Sequence, residues 1–171
     1  MTPTAAAADG RVAAEAAAAA VHLLRDRRET LAVVESLTGG LLAATIVDVA
    51  GVSGVFRGGL VVYATELKSQ LAGVPADLLA ERGPVDPDVA AALAEGGRRR
   101  CRADWAVATT GVAGPEPQNG QPVGRVYVAV AGPDGGSVVR EFDLPGNRVA
   151  VRCATVTAGL RMLAERMRIG P

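Results

Sequence analysis

The chain of 171 residues has one histidine, His22, one lysine, Lys68, and two cysteines, Cys101 and Cys153. Each scarcity removes a class of chemistry. A Ser-His-Asp triad needs a histidine beside its nucleophile, and His22 falls on a helical stripe near the N-terminus, a helix-face position. Two cysteines without C-x-x-C spacing and a single histidine do not assemble a metal cluster, so no metal is expected. Cys101 lies among Arg98, Arg99, Arg100 and Arg102, which favour its thiolate, yet no partner base accompanies it. Lys plus Arg equals Asp plus Glu at 18 each, and aromatics are 3% of the chain. That balance argues against nucleic acid or an anionic membrane as partner. No charge-free run of 18 apolar residues is present to span a bilayer. The start has no basic segment leading into an apolar one, which predicts a cytoplasmic protein.

What is present is an ordinary globular composition, 49% apolar and 21% charged, with the apolar share carried by Ala, Val and Leu. It predicts one domain over residues 10–168 behind a flexible, Ala-rich start at 1–9. Periodicity predicts helices over Gly10–Arg28, Thr38–Val49, Thr65 to about Gly73, Pro75–Gly83, Asp86–Arg102 and Arg148–Met167. Strands are expected at Leu31–Glu35, Phe56–Ala64, Trp105–Thr110, Arg125–Ala131 and Ser137–Asp143. The last two are joined by the turn Pro133-Asp134-Gly135-Gly136. Helices interleaved with strands predict an α/β fold, a three-layer α/β/α sandwich whose sheet is mostly parallel with an antiparallel hairpin edge. Apolar faces on so small a domain point to a homo-oligomer, with a dimer favoured.

The densest signal is Glu35-Ser36-Leu37-Thr38-Gly39-Gly40, between a buried-strand pattern and a helical one. Thr38 is a good N-cap type, and Gly39 and Gly40 leave the backbone bare where the helix opens. Free N–H groups there attract an anion or a developing oxyanion, and a serine beside them is a candidate nucleophile. A serine cap followed by a glycine turn is the plainer alternative. With histidine excluded and arginine unable to deprotonate, a base for Ser36 narrows to Lys68. With Thr65 as N-cap, Lys68 falls at the third helical position, where the helix dipole disfavours a cation and so favours a neutral amine. The alternative is a lysine facing solvent at a small cost. Tyr63 could relay a proton between the two, or carry its hydroxyl in water. The spacing Tyr63 to Lys68 differs from the Tyr-x-x-x-Lys of short-chain dehydrogenases, and no G-x-G-x-x-G follows the first strand, so hydride transfer is disfavoured. A second turn, Thr110-Gly111-Val112-Ala113-Gly114-Pro115, follows the third strand and could present N–H groups to a ligand. Arg148 and Arg152, one helical turn apart, could clamp a phosphate or simply be solvated.

These stretches, together with Gly58-Gly59-Leu60-Val61-Val62-Tyr63, Leu71-Ala72-Gly73-Val74-Pro75, Pro122-Val123-Gly124 and Gly146-Asn147-Arg148, resemble the CinA C-terminal domain family of nicotinamide mononucleotide deamidases. The likeness runs over about residues 10 to 166. It implies a stand-alone amidohydrolase that converts the carboxamide of nicotinamide mononucleotide, a small nucleotide substrate, to the acid and ammonia without a cofactor. The family's catalytic serine, tyrosine and lysine fall on Ser36, Tyr63 and Lys68. The implied substrate contacts fall on Thr38, Gly39, Gly40, Thr110, Gly111, Gly114, Arg148 and Arg152. Two departures stand out. Leu37 replaces a usual cysteine, and the segment Gly114 to Gly124 lacks a glycine run and a lysine while adding Glu116. Two rival readings keep the scaffold: a non-catalytic nucleotide-binding or regulatory protein, and a serine amidase for another small amide.

Overall fold

A computed structural model describes residues 5–169, with side chains from residue 10 onward. Helix α1 spans Ala5–Arg27, five residues earlier than the periodicity predicts. Residues 1–4, the rest of the expected flexible start, lie outside the described residues. The strands are β1 (Leu31–Glu35), β2 (Phe56–Val61), β3 (Trp105–Gly111), β4 (Arg125–Ala131) and β5 (Ser137–Asp143), in the order β2-β1-β3-β4-β5. The other helices are α2 (Leu41–Val47), α3 (Thr65–Gln70), α4 (Ala76–Arg82), α5 (Pro87–Cys101) and α6 (Arg148–Ile169).

Strand β1 is parallel to β2 and to β3, whereas β4 runs antiparallel to both β3 and β5. The antiparallel share therefore extends one strand further into the sheet than a hairpin edge alone. All five residues of β1 are buried, as expected of a parallel strand covered on both faces. Helices α1, α2 and α6 cover one face through Leu24, Leu42, Ile46, Val151 and Leu163. On the other face, α5 packs Val89, Leu93 and Ala94 around Val34 and Val62. Edge strand β5 alternates between half-buried and exposed positions along most of its length. His22 is exposed on α1, the helix-face position expected of it. Among the described residues no helix is long and apolar enough to cross a membrane.

Two glycines of α5 let that helix pack closely, Gly97 against β1 and Gly96 against the segment after α3. A Cβ at Gly96 would collide with the Ala72 carbonyl, and one at Gly97 with the Val34 side chain. A backbone carbonyl cannot move aside as a flexible side chain can. Replacing Gly96 by Ala should therefore destabilise the fold by about 1–3 kcal/mol, despite the better helix propensity of alanine. A urea titration reads this as a lower midpoint with an unchanged slope.

Candidate active site

Ser36 follows the last residue of β1, at the carboxyl end of the parallel strands, where open α/β sheets bind ligands. Its N–H donates to the Thr109 carbonyl at 3.1 Å, so the strand ladder delivers the residue to the rim of the sheet. The turn that follows is held from three directions. The Gly39 N–H donates to the Ser36 carbonyl at 3.1 Å. The Thr38 hydroxyl pairs with that of Thr109 at 2.9 Å. Arg152, reaching across from α6, donates to the carbonyls of Leu37 at 3.0 Å and Thr38 at 2.6 Å.

Helix α2 starts at Leu41 with Gly40 as its N-cap, so Thr38 is not the cap that the sequence suggests. Gly40 has φ of 94°, a left-handed conformation open to glycine at little cost. The capping comes from Glu35. Its fully buried carboxylate accepts from the N–H groups of Gly40 and Leu42 at 3.0 Å each and of Ala43 at 2.8 Å. An internal anion thus occupies the Gly40 N–H, one of the donors expected to hold an oxyanion, while the Gly39 N–H is taken by the Ser36 carbonyl. Composition-level reading missed this role. The available signal was an acidic residue just ahead of a helix start, the end where negative charge is favoured.

Among the described residues Lys68 is the largest fully buried side chain, 1% exposed. Helix α3 begins at Thr65 with Ala64 as its N-cap, which moves Lys68 one position further along the helix than expected. Its Nζ donates to the Val62 carbonyl at 2.8 Å and lies 3.1 Å from Ser36 Oγ, to which the ammonium form also donates. Burial lowers the pKa of this amine from 10.5 to about 8, with Glu66 opposing the shift. Loss of water around the charge, not the helix dipole, is therefore the leading cause.

Tyr63 lies beyond the end of β2, 58% exposed, and its hydroxyl accepts from Arg148 at 2.9 Å. Lys68 touches Ser36 directly, and the exposed Tyr63 phenol stands at the mouth of the same cavity. Arg148 also donates to the Gly114 carbonyl at 2.8 Å and so ties α6 to the loop after β3. These groups surround a cavity of about 90 Å³. Ligand pockets for whole small molecules run to roughly 300–1,000 Å³, so only one end of such a molecule would fit here and the remainder would cross the rim.

Of the expected substrate contacts, Thr110, Gly111, Gly114 and Arg148 line the cavity, whereas Thr38, Gly39, Gly40 and Arg152 do not. The reasons are local. Arg152 is spent on the Leu37 and Thr38 carbonyls, so the two-arginine clamp reduces to Arg148. The Thr110 hydroxyl donates to the Pro84 carbonyl at 2.6 Å, which leaves the residue as wall. Gly111 is needed because a Cβ there would meet the Arg125 carbonyl at 2.6 Å. Leu37, Thr65, Val85, Glu116 and Gln118 also line the cavity and were not among the expected contacts. Cys101 and Cys153 are free thiols. Burial raises the Cys101 pKa more than Arg57 lowers it, so the neighbouring arginines do not activate it.

A three-layer α/β protein with a serine and a buried lysine in contact at the carboxyl edge of its parallel strands is the class that this geometry defines. The chain belongs to the CinA C-terminal domain family, which matches residues 13–167. It is 51% identical over 146 residues to a CinA-like protein of Frankia casuarinae, a match covering 83% of this chain and 34% of that protein. A competence-damage inducible protein of Desulforamulus reducens is 46% identical over 82% of this chain and 34% of its own length. The chain thus spans about a third of the length of these curated relatives. The crystal structure of the competence/damage inducible protein CihA from Agrobacterium tumefaciens superposes with a TM-score of 0.87 at 32% identity, covering 91% of this chain and 96% of the other.

Proposed function

We propose that the protein hydrolyses the carboxamide of nicotinamide mononucleotide, releasing ammonia and nicotinate mononucleotide, with Ser36 as nucleophile and Lys68 as its base. The observation that carries this reading is the 3.1 Å contact between Ser36 Oγ and a buried amine. A neutral Nζ accepts the Oγ proton as Oγ attacks the carbonyl carbon. The resulting ammonium returns that proton to the departing nitrogen as the C–N bond breaks, and ammonia leaves. Water then attacks the acyl ester with Lys68 again as base, which frees the acid and Ser36. The oxyanion falls to the Leu37 N–H, the first donor after the nucleophile. Leu37 lines the cavity, and its N–H makes no hydrogen bond among the described residues. Tyr63 and Arg148 hold the part of the substrate that crosses the rim.

The pH dependence has a definite sign. Only the neutral amine acts as base, so kcat/KM should rise about tenfold per pH unit below the Lys68 pKa of about 8 and level off above it. Stability moves the same way. Between about 8 and 10.5 the unfolded chain binds the proton that the folded chain has lost, so stability climbs with pH across that window and is lost as pH falls back through it.

The deciding assay is ammonia release from nicotinamide mononucleotide, nicotinamide and a set of unrelated carboxamides. Turnover of the mononucleotide above the others supports the reading. Turnover of a different amide alone would make this a serine amidase for another substrate. Binding of the nucleotide without any ammonia would make it a non-catalytic nucleotide-binding protein.

A further inference from the structure

The mouth of the cavity carries two opposite charges that do not neutralise one another. Arg148 lines it and, among the described residues, is bonded only to neutral oxygens, those of Tyr63 and Gly114. Glu116 lines it as well and makes neither an ion pair nor a hydrogen bond among the described residues. A carboxylate in reach of a guanidinium would pair with it, so the two groups lie beyond ion-pair distance of one another in the lining of the same cavity. The position of Glu116 is fixed from both sides. Before it, Arg148 holds the Gly114 carbonyl at 2.8 Å. After it, Gln118 and Gln121 exchange backbone hydrogen bonds at 3.1 and 2.9 Å, which closes a tight turn. The base of the loop is sealed where the Gly124 N–H donates to Val112 at 2.8 Å. Ser36 and Lys68 are buried parts of the lining, so a carboxamide reacting there must carry its ring and substituents out past these two charges.

We propose that Glu116 is a specificity-determining residue, whose carboxylate selects carboxamides borne on a cationic, N-substituted aromatic ring while Arg148 takes the anionic group of the same molecule. This deepens the amidase reading and rests on it. A zwitterionic substrate satisfies both charges of the rim at once, whereas a neutral ring leaves Glu116 facing only the anionic end of the ligand. The selection also suits the chemistry, because a cationic ring withdraws electrons from the carboxamide carbon and eases attack by Ser36. Glu116 is exposed to water, so its contribution is that of a screened ion pair, about three- to five-fold in affinity.

The test uses the full chain carrying S36A, so that ligand is not consumed, with and without E116Q. Two ligands are titrated calorimetrically: nicotinamide mononucleotide and its dihydropyridine form, which keeps the carboxamide, ribose and phosphate but has a neutral ring. The expected result is a three- to five-fold loss of affinity for the cationic ring on E116Q, with the neutral ring bound equally or more tightly. No change for either ligand, or the same change for both, overturns the proposal. Selective loss of binding together with no ammonia release by the unsubstituted protein would overturn the amidase reading and leave the selectivity standing.

Discussion

Replacing Lys68 by Met is expected to abolish ammonia release while leaving the protein folded. Among the described residues Nζ is the only basic side-chain atom hydrogen-bonded to Ser36 Oγ, and it is held there by the Val62 carbonyl. General-base removal costs about 10²–10⁴ in rate, and no histidine stands near to substitute. Methionine has similar length and an apolar body, so it fills the same buried slot. The lost hydrogen bond to Val62 costs about 1 kcal/mol, and removing a buried amine offsets much of that. Circular dichroism and the melting temperature should therefore stay close to those of the parent. K68R sharpens the test, since arginine keeps the charge but cannot give up its proton. Ammonia release above a tenth of the parent rate in either variant would remove Lys68 from the mechanism.

Glu35 should produce the second large effect, and on stability first. Its carboxylate satisfies three backbone donors at the start of α2 inside the protein. Glu35→Ala leaves the buried Leu42 donor and the part-buried Gly40 and Ala43 donors unpartnered, at about 1–3 kcal/mol for a fully buried group, less for the other two and less than additively. A total loss of about 3 kcal/mol is expected, or a fall in melting temperature of about 6–12 °C for a domain of this size. E35Q should fall between the two, because the amide oxygen still accepts while its NH2 group faces donors. In whatever fraction stays folded, the turn carrying Ser36 loses its inner support, so kcat should drop with little change in KM. An unchanged melting temperature in Glu35→Ala would mean that the cap is dispensable.

The strand before Ser36 was legible because Leu31-Ala32-Val33-Val34 is an unbroken apolar run bounded by a glycine turn. Ser36 and Lys68 were legible as partners by elimination, since this chain has one lysine and one distant histidine. The cause of the lowered lysine pKa was not legible. It depends on α3 folding over the end of β1 and β2, a tertiary event, whereas the dipole argument used only local sequence. Thr38 was misread for a related reason. Local propensity marks it as a cap, but a carboxylate arriving from the strand side performs the capping and moves the helix start to Leu41. The i, i+4 spacing put Arg148 and Arg152 on the same side of α6, yet it could not say that Arg152 reaches the turn 115 residues away. The direction of β4 was hidden as well, because Val126, Val128 and Val130 pattern alike in parallel and antiparallel pairing.

The central claim is that one buried lysine gives up its proton near neutral pH and so can activate an alcohol. The chain contains a single lysine, so incorporating lysine labelled at Cε yields one resonance that reports Lys68 alone. Following that resonance by NMR from pH 6 to pH 11 should give a titration midpoint near 8, in step with the rise of kcat/KM. A midpoint near the ordinary value of 10.5, in protein still folded and active, would contradict the account.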